Sequence, residues 1–302
     1  MAGGCDSMLD FKPLTLADYD FVCKYLAFEK GNICDTLPGT IFMWRHHFQT
    51  AFCVDSEMLY FRIIHPDGFV AYSVPCGEGN LGAALHKLAE TVKSRGETLI
   101  FSPVTPAQVE MLKEHFTMTR RQSMRDWADY VYDVASMQTF PGKKLHGQRN
   151  FLNRFHKLYP DACVTAISRE NLDLCKKFLT VYGGQARSEG AITEMGYVEE
   201  VLENYELYGL LGTCVLVGGD VVAFAIGSKR GNMLYEHIEK ASRTYPGAYQ
   251  KIASEFAKMY GTSEILYINR EDDMGNESLR TSKLAYQPVT LLEKYVVWAE
   301  CL

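Results

Sequence analysis

The sequence predicts an α+β fold with mixed sheets, built from two similar halves. Three observations support this prediction: β-rich hairpins alternate with amphipathic helices, both halves repeat one order of elements, and the composition is globular. Of the 302 residues, 47% are hydrophobic and 23% are charged, which is ordinary for a chain that buries a core. At about 150 residues per domain this length corresponds to two domains, which we place at 1–136 and 137–302.

The first half begins with a predicted helix after Thr15, a residue type that favours the N-cap, and continues with a second helical stretch at 40–54. Two β-rich runs within 57–74 flank the Pro-Asp-Gly sequence at 66–68, which favours a hairpin turn. The rest of this half is predicted as a helix at 81–96, a strand at 98–104, a helix at 105–116 and a strand at 126–134.

The second half, after a junction at 134–142, repeats this order of elements. Helices are predicted at 142–160, 168–184, 194–209, 248–261 and 276–286, and strands within 212–241 and at 264–270 and 290–299. Helices, hairpin strands, helix, strand, helix and strand follow one another as in the N-acetyltransferase (GNAT) fold. A different α+β fold with the same order of elements remains the alternative.

Composition argues against several classes of protein. The net charge of −6 disfavours a broad nucleic-acid surface, so we expect no DNA partner. The sequence has no apolar run of the roughly 18–20 residues that span a bilayer and begins without signal-peptide features, so we expect a cytoplasmic protein. Its nine cysteines form no C-x-x-C pair, and no cysteine or histidine pair has ligand spacing, so we expect no metal.

A basic segment follows the junction. From 134 to 160 no residue is acidic, while Lys143, Lys144 and Arg149 are basic. On a helical wheel, Arg149 and Asn150 lie opposite an apolar arc. That arc comprises Leu145, Phe151, Leu152, Phe155 and Leu158. The pattern predicts an anion-binding helix, and a solvated basic helix face is the alternative.

The predicted strand that contains "EHIEK" carries charges of both signs. Strand alternation predicts that His237 and Glu239 point to one face and that Glu236 and Lys240 point to the other. Charges on both faces of a central strand are unusual, which indicates a strand that lines a cleft.

A small-residue turn, "TYPGAY", links this strand to the next predicted helix. Free backbone N–H groups at a helix N-terminus bind anions, so Gly247 is a candidate anion-binding position. The spacing from Arg243 to Gly247 does not fit the pyrophosphate-binding turn of acetyltransferases, and an ordinary turn is the alternative.

The sequence after the apolar run 265–268 is densely charged, and the following helix adds two cations. These residues are Asn269, Arg270, Glu271, Asp272, Asp273, Arg280 and Lys283. Arg280 and Lys283 are three residues apart and share a helix face, so we expect both to return toward Asp272 and Asp273. Such a network could hold a zwitterion, or it could be an internal salt-bridge network that fixes a loop.

The segments 142–155, 236–241, 267–288 and 291–295 resemble the C-terminal domain family of phosphatidylglycerol lysyltransferase. The similarity runs from about residue 133 to 298 and is most specific at 267–288. It implies a tandem GNAT-like fold. It also implies one cleft formed by Arg149, Asn150, Glu239, Lys240 and 269–273, together with Arg280 and Lys283. Full-length membrane enzymes of this family transfer an aminoacyl group from aminoacyl-tRNA to a lipid head group.

From the residues and the resemblance together we expect an acyl- or aminoacyltransferase without a bound cofactor. The donor would be an acyl-CoA or the acceptor end of an aminoacyl-tRNA, and a small molecule with an amine or hydroxyl would be the acceptor. The predicted catalytic residues are Glu239, Lys240, Asp272 and Asp273. The predicted substrate-binding residues are Arg149, Asn150, His237, Asn269, Arg270, Glu271, Arg280 and Lys283, and the predicted anion-binding residues are Lys143, Lys144 and Gly247. A noncatalytic module that binds a small zwitterionic or phosphorylated ligand is the alternative.

Overall fold

A computed structural model describes residues 8–184 and 189–301 of the chain. These residues form two compact units, one comprising 8–125 and 293–301 and the other comprising 126–184 and 189–292. That the units correspond to GNAT-like halves divided between residues 136 and 137 stays a prediction. Among the described residues, none of the helices combines the length and the apolar character that a membrane span requires.

The strands and helices alternate along the chain much as the sequence predicts. The strands are β1 (Lys12–Pro13), β2 (Ala51–Asp55), β3 (Met58–Ile64), β4 (Val70–Tyr72), β5 (Cys76–Gly77), β6 (Ile100–Val104), β7 (Phe116–Ser123), β8 (Asp129–Asp133), β9 (Cys163–Ala166), β10 (Leu211–Val217), β11 (Asp220–Arg230), β12 (Met233–Ala241), β13 (Tyr267–Asn269), β14 (Thr290–Leu292) and β15 (Tyr295–Cys301). The helices are α1 (Tyr19–Leu26), α2 (Pro38–Met43), α3 (Leu81–Ser94), α4 (Pro106–Leu112), α5 (Val134–Thr139), α6 (His146–Leu158), α7 (Leu172–Gly183), α8 (Glu189–Glu203), α9 (Tyr205–Tyr208), α10 (Ala248–Tyr260) and α11 (Glu277–Ala285).

The first unit contains a mixed sheet in the order β1-β2-β3-β4-β6-β15-β7, with β5 also paired to β3. The pairing of β4 with β6 is parallel and the other pairings are antiparallel. Helix α3 begins where the Asn80 side chain accepts a hydrogen bond from the Ala83 amide at 2.9 Å, which satisfies one free donor of its first turn. Its apolar face buries Leu85 and Leu88 against Phe101 of β6.

Two predicted elements were wrong in part. Of the second predicted helical stretch, 40–54, only 40–43 is α-helical, as the end of α2 (Pro38–Met43), and Ala51–Asp55 is a strand. Phe52 is buried and lies opposite Phe61 of β3, so cross-strand packing decides the local structure. The predicted strand at 290–299 is two strands, because β14 pairs with β8 and β15 pairs with β6 and β7.

The second unit contains a mixed sheet in the order β14-β8-β13-β12-β11-β10-β9. Only β12 and β13 pair in parallel. The core lies under α10, where Ile252 and Phe256 join Leu234 of β12 and Ile268 of β13. The two mixed sheets confirm the predicted α+β class.

Strands β12 and β13 are neighbours in this sheet, but they pair over a short length. The register joins Met233, Leu234 and Tyr235 to Tyr267, Ile268 and Asn269. Strand β12 then continues to Ala241, whereas β13 ends at Asn269. The sheet therefore opens beyond this point, at the carboxyl ends of two parallel strands, where α/β sheets commonly bind ligands.

Candidate active site where two parallel strands diverge

A β-bulge in β12 sets the direction of its charged side chains. In the pairing with β11, Ile238 lies opposite Ile226 and Glu236 lies opposite Gly227, so His237 is the extra residue. A Cβ at Gly227 would lie 1.8 Å from the carbonyl oxygen of Tyr235, so glycine is needed for this close approach. One extra residue shifts the alternation of every later side chain to the other face.

The bulge places Glu236 and Glu239 on the same face of the sheet. Leu234 and Ala241, which flank them along β12, both lie in the core under α10. The predicted division, with Glu236 on one face and Glu239 on the other, was therefore wrong. The pattern of charged residues along a strand does not indicate a bulge, so the bulge could not be predicted from strand alternation.

Arg270 bridges these two carboxylates across the opening between the strands. Its Nε donates to Glu236 Oε1 at 2.9 Å and its Nη2 donates to Glu239 Oε2 at 2.5 Å. The guanidinium also lies 4.7 Å from the ring centroid of Tyr286 and 5.9 Å from that of Tyr132. The exposed fractions of the three side chains are 8% for Arg270, 2% for Glu236 and 14% for Glu239. Glu239 is therefore the member of this buried cluster that solvent reaches most.

The cluster is incompletely paired. Among the described residues, Arg270 Nη1 and Glu236 Oε2 are buried without a hydrogen-bond partner. Leaving such a polar atom unpaired costs about 1–3 kcal/mol, and a catalytic role is one of the reasons for which native proteins retain such atoms. Two carboxylates also share one guanidinium, so the cluster carries a net negative charge when both are ionised.

Burial and charge give Glu239 an unusual protonation equilibrium. Burial raises the pKa of Glu239 well above its usual value, the Glu236 carboxylate raises it further, and the Arg270 guanidinium opposes both. Burial alone would lower the pKa of Arg270, but the two carboxylates raise it, so the guanidinium stays charged. A carboxyl group with a raised pKa at the edge of a buried cluster is a candidate proton acceptor and donor.

Two tyrosines that the sequence analysis did not select lie near this cluster. The hydroxyls of Tyr182 and Tyr249 are 3.1 Å apart. Burial, the Tyr182 hydroxyl and the Glu239 carboxylate raise the pKa of Tyr249, so its hydroxyl stays protonated. Tyrosines on apolar helix faces look like core residues in a sequence, which is why these two were missed.

Lys240, predicted to be catalytic, has a different partner from its neighbour Glu239. Its Nζ lies 2.5 Å from Glu194 Oε1 on α8 and 5.9 Å from the ring centroid of Tyr182. The ion pair fixes the ammonium beside Tyr182.

Asp273 lies inside a network of donors. It is fully buried. It accepts hydrogen bonds from Tyr130 Oη at 2.5 Å, from Arg280 Nε and Nη2 at 2.8 Å each, and from the Gly275 amide at 2.9 Å. Burial raises the pKa of Asp273, but the bonds from Arg280, Tyr130 and Gly275 outweigh it and hold the pKa well below the usual range. This geometry favours the internal salt-bridge alternative for Asp273 and Arg280.

The other residues of this segment also fix the chain. Lys283 donates from Nζ to the Arg270 carbonyl at 2.6 Å and to the Asp272 carbonyl, and its pKa is lowered by burial. Asp272 Oδ1 accepts from the Met274 amide at 3.0 Å. Asn269 is buried and donates to Asp129 Oδ2 at 2.8 Å. Arg280 and Lys283 thus return to the acidic segment, as predicted, and they hold the loop that presents Arg270.

The residues of the predicted anion-binding helix lie in α6 or directly before it. Lys143 and Lys144 are exposed, while Arg149 Nη1 donates to the carbonyls of Phe140 at 2.5 Å and Gly142 at 2.9 Å. Arg149 therefore ties down the loop before α6. Their binding of an anion stays a prediction.

Asn150 and Gly247 have local structural partners. The Asn150 amide nitrogen lies 3.3 Å from His146 Nδ1 on α6. Gly247 has φ +89°, and a Cβ there would lie 2.2 Å from the carbonyl oxygen of Phe151. Gly247 is therefore needed for the close approach of the α10 N-terminus to α6.

Comparison of the sequence and the fold with those of known proteins identifies related proteins. The family model described as "Phosphatidylglycerol lysyltransferase, C-terminal" matches residues 34–298. A crystal structure of a conserved protein of unknown function from Bacteroides thetaiotaomicron is 34% identical, with a TM-score of 0.83 over 97% of this chain and 100% of that chain. The structure of L-PGS from Bacillus licheniformis is 14% identical, with a TM-score of 0.65 over 95% of this chain and 92% of that chain.

A curated sequence relative gives a shorter match. An uncharacterised protein of Mycoplasmoides gallisepticum is 27% identical over 175 residues, which are 57% of this chain and 56% of that protein. The chain thus matches about half the length of this relative. Together, the family match and the two solved structures confirm the predicted tandem GNAT-like fold.

Proposed function

Because the chain belongs to the phosphatidylglycerol lysyltransferase C-terminal family, we propose that it is an acyl- or aminoacyltransferase. The family is named for the transfer of a lysyl group, so acyl transfer is the reaction class at the family level. The observation that carries the proposal for this chain is the buried cluster of Glu236, Arg270 and Glu239 where β12 and β13 diverge. The donor would be an aminoacyl-tRNA or an acyl-CoA, and the acceptor a small molecule with an amine or hydroxyl.

Glu239 is the base of the proposed reaction. The acceptor attacks the carbonyl carbon of the donor ester or thioester, and Glu239 takes the proton that the acceptor releases. When the bond to the leaving oxygen or sulfur breaks, Glu239 returns the proton to that atom. The raised pKa of Glu239 makes its carboxylate a stronger base than an ordinary glutamate, which favours proton transfer from the acceptor.

Glu236 and Arg270 adjust this base without contacting the reacting atoms. Arg270 holds Glu239 in place through the 2.5 Å bond from Nη2. Glu236 is nearly fully buried, and its negative charge raises the pKa of Glu239. When Glu239 is ionised, the cluster carries a net negative charge, which complements the ammonium group of an aminoacyl donor or of an amine acceptor.

The proposal is tested by a donor-dependent transfer assay. The purified chain is first screened by thermal shift against aminoacyl-tRNA, acyl-CoA and amine metabolites, since a ligand at about 100 times its Kd stabilises by about 2.7 kcal/mol. Stabilising pairs are then incubated together, and the product is detected by mass spectrometry. We expect a product that contains the donor's acyl group and forms only when the chain is present.

One observation favours the noncatalytic alternative. The carboxylate of Asp273, predicted to face the cleft, is paired inside the protein with Arg280 and Tyr130. A binding module with that arrangement would bind a donor or acceptor in the thermal-shift screen but would form no product. Ligand binding without turnover across the donor classes would therefore replace the transferase proposal by the binding module.

A further inference from the structure

A second constellation of reactive side chains includes Glu271, the residue after Arg270. His237 Nε2 is 2.8 Å from Ser228 Oγ, and His237 Nδ1 is 2.8 Å from Glu271 Oε1. A Cβ at Gly227 would meet Phe256 of α10, so the next residue, Ser228, points to the opposite face of the sheet. Serine, imidazole and carboxylate therefore form a continuous hydrogen-bonded chain on the face of the sheet turned away from α10.

Two irregularities of the backbone bring these residues together. His237 is the extra residue of the β12 bulge, and bulges commonly redirect a side chain beside an active site. Glu271 has φ +58°, a conformation that costs a residue other than glycine about 1 kcal/mol or more. Its amide donates to Asn269 Oδ1 at 2.8 Å and its carbonyl accepts from the Tyr130 amide at 3.0 Å, which fixes this conformation.

The surroundings suit nucleophilic catalysis. The His237 side chain is 2% exposed and the Glu271 side chain is 19% exposed. Ser228, the terminal member of this row of hydrogen bonds, is half-buried. When Nδ1–H donates to the Glu271 carboxylate, Nε2 is left as the acceptor for the Ser228 hydroxyl. These are the roles of base, orienting acid and nucleophile in serine hydrolases, which are recognised by geometry and not by sequence order.

We propose that Ser228, His237 and Glu271 form a catalytic triad that cleaves carboxylic esters through an acyl-serine intermediate. Ser228 Oγ bonds to the ester carbonyl carbon while its proton passes to His237 Nε2. The bond from that carbon to the alcohol oxygen then breaks, and the alcohol leaves with the proton from Nε2. Water next attacks the acyl-serine, gives a proton to Nε2 and releases the carboxylic acid, and Ser228 regains its hydrogen. The Glu271 carboxylate orients the imidazole and stabilises the imidazolium form of His237.

This activity is independent of the proposed transferase function, because Glu239 and Arg270 take no part in it. The test uses the full chain with p-nitrophenyl acetate as the ester and a fluorophosphonate as the covalent probe. We expect p-nitrophenolate release with saturation and one probe per chain, located on Ser228 by peptide mass spectrometry. Ser228→Ala abolishes labelling and lowers ester cleavage at least about 100-fold, the usual contribution of a base-assisted step.

A matched control exists in the first unit. Ser102 Oγ lies 3.3 Å from His65 Nε2 and is buried, so Ser102→Ala removes another serine–histidine contact. We expect this variant to keep full labelling and cleavage. Glu271→Gln and His237→Gln are expected to retain the fold by circular dichroism and to lose labelling. If either variant is unfolded, Ser228→Ala, which removes one oxygen atom, still decides the question.

Three outcomes overturn the triad. They are a wild-type chain that takes no probe, a probe found on a residue other than Ser228, and Ser228→Ala cleaving the ester at the wild-type rate. None of these outcomes bears on acyl transfer at Glu239, which is measured with different substrates.

Discussion

Replacing Asp273 by asparagine separates a structural role from a functional role for the acidic segment after β13. The substitution keeps the shape of the side chain and removes its charge. Asparagine has one acceptor oxygen, so it cannot accept both bonds from the Arg280 guanidinium together with those from Tyr130 and Gly275. We therefore expect Asp273→Asn to destabilise the protein and to leave the chemistry at Glu239 intact.

The structure sets the size of this effect. Breaking a buried ion pair by removing one partner costs about 3–5 kcal/mol. The Arg280 side chain is 29% exposed, so water can solvate part of the unpaired guanidinium, and we expect the lower end, about 3 kcal/mol. For a unit of this size each kcal/mol shifts Tm by about 2–4 °C, which gives a fall of roughly 6–12 °C.

The pH dependence of stability provides a second measure. The folded-state pKa of Asp273 lies well below its ordinary value of 3.8. The unfolded state therefore binds the proton first as pH falls. The stabilisation is complete above about pH 4 and is lost progressively at lower pH. We expect urea midpoints of the wild type and Asp273→Asn to differ at pH 7 and to converge toward pH 2.

The assay measures urea denaturation of the wild type and of Asp273→Asn. Ligand binding or acyl transfer by each protein is measured separately, under conditions in which both are folded. Unchanged Tm together with lost binding or turnover would refute the structural role and assign Asp273 to the substrate.

Three further predictions concern the rest of the second unit. Glu236→Gln removes the negative charge that raises the pKa of Glu239, so we expect the acid limb of the kcat/KM profile to move to lower pH; an unmoved limb contradicts the proposed tuning. Gly247→Ala places a Cβ 2.2 Å from a backbone oxygen of α6 and is expected to cost about 2–4 kcal/mol in urea denaturation. Gly142→Ala, at φ +72° with open space around it, is the control and is expected to cost about 1 kcal/mol. Replacing both Lys143 and Lys144 by alanine is expected to weaken binding of a phosphorylated donor and to reduce the salt dependence of that binding. Unchanged binding at low salt would favour the alternative that α6 presents a solvated basic face and no anion site.

Local sequence patterns predicted most of the second unit because its elements have strong local signals. The strands predicted within 212–241 correspond to β10, β11 and β12, and the helix predicted at 248–261 corresponds to α10. Strand β7 was missed because its outer residues are polar and exposed. Whether a residue such as Phe52 belongs to a helix or a strand depends on its partner Phe61, which a local pattern does not contain.

The sequence predicted which residues belong to the candidate site, but it did not predict which side chains contact one another. The sequence indicated Glu239, Arg270 and Asp273 as members of one charged region, and the structure separates them. Arg270 faces Glu236 and Glu239, while Asp273 pairs with Tyr130, 143 positions earlier. The bulge at His237 decides which carboxylates meet Arg270, and no residue type marks it. Long-range contacts and a single extra residue in a strand thus account for what the sequence could not provide.

The rate of acyl transfer by Glu239→Gln tests whether Glu239 is the base of the proposed reaction. The variant keeps the size of the side chain and its bond to Arg270 but cannot take a proton. With a donor and acceptor that the wild type uses, we expect kcat to fall at least about 100-fold while donor binding and Tm change little. Glu264→Gln, at an exposed position of the same unit, is the control and is expected to retain the wild-type kcat. A Glu239→Gln variant that transfers at the wild-type rate would contradict the account.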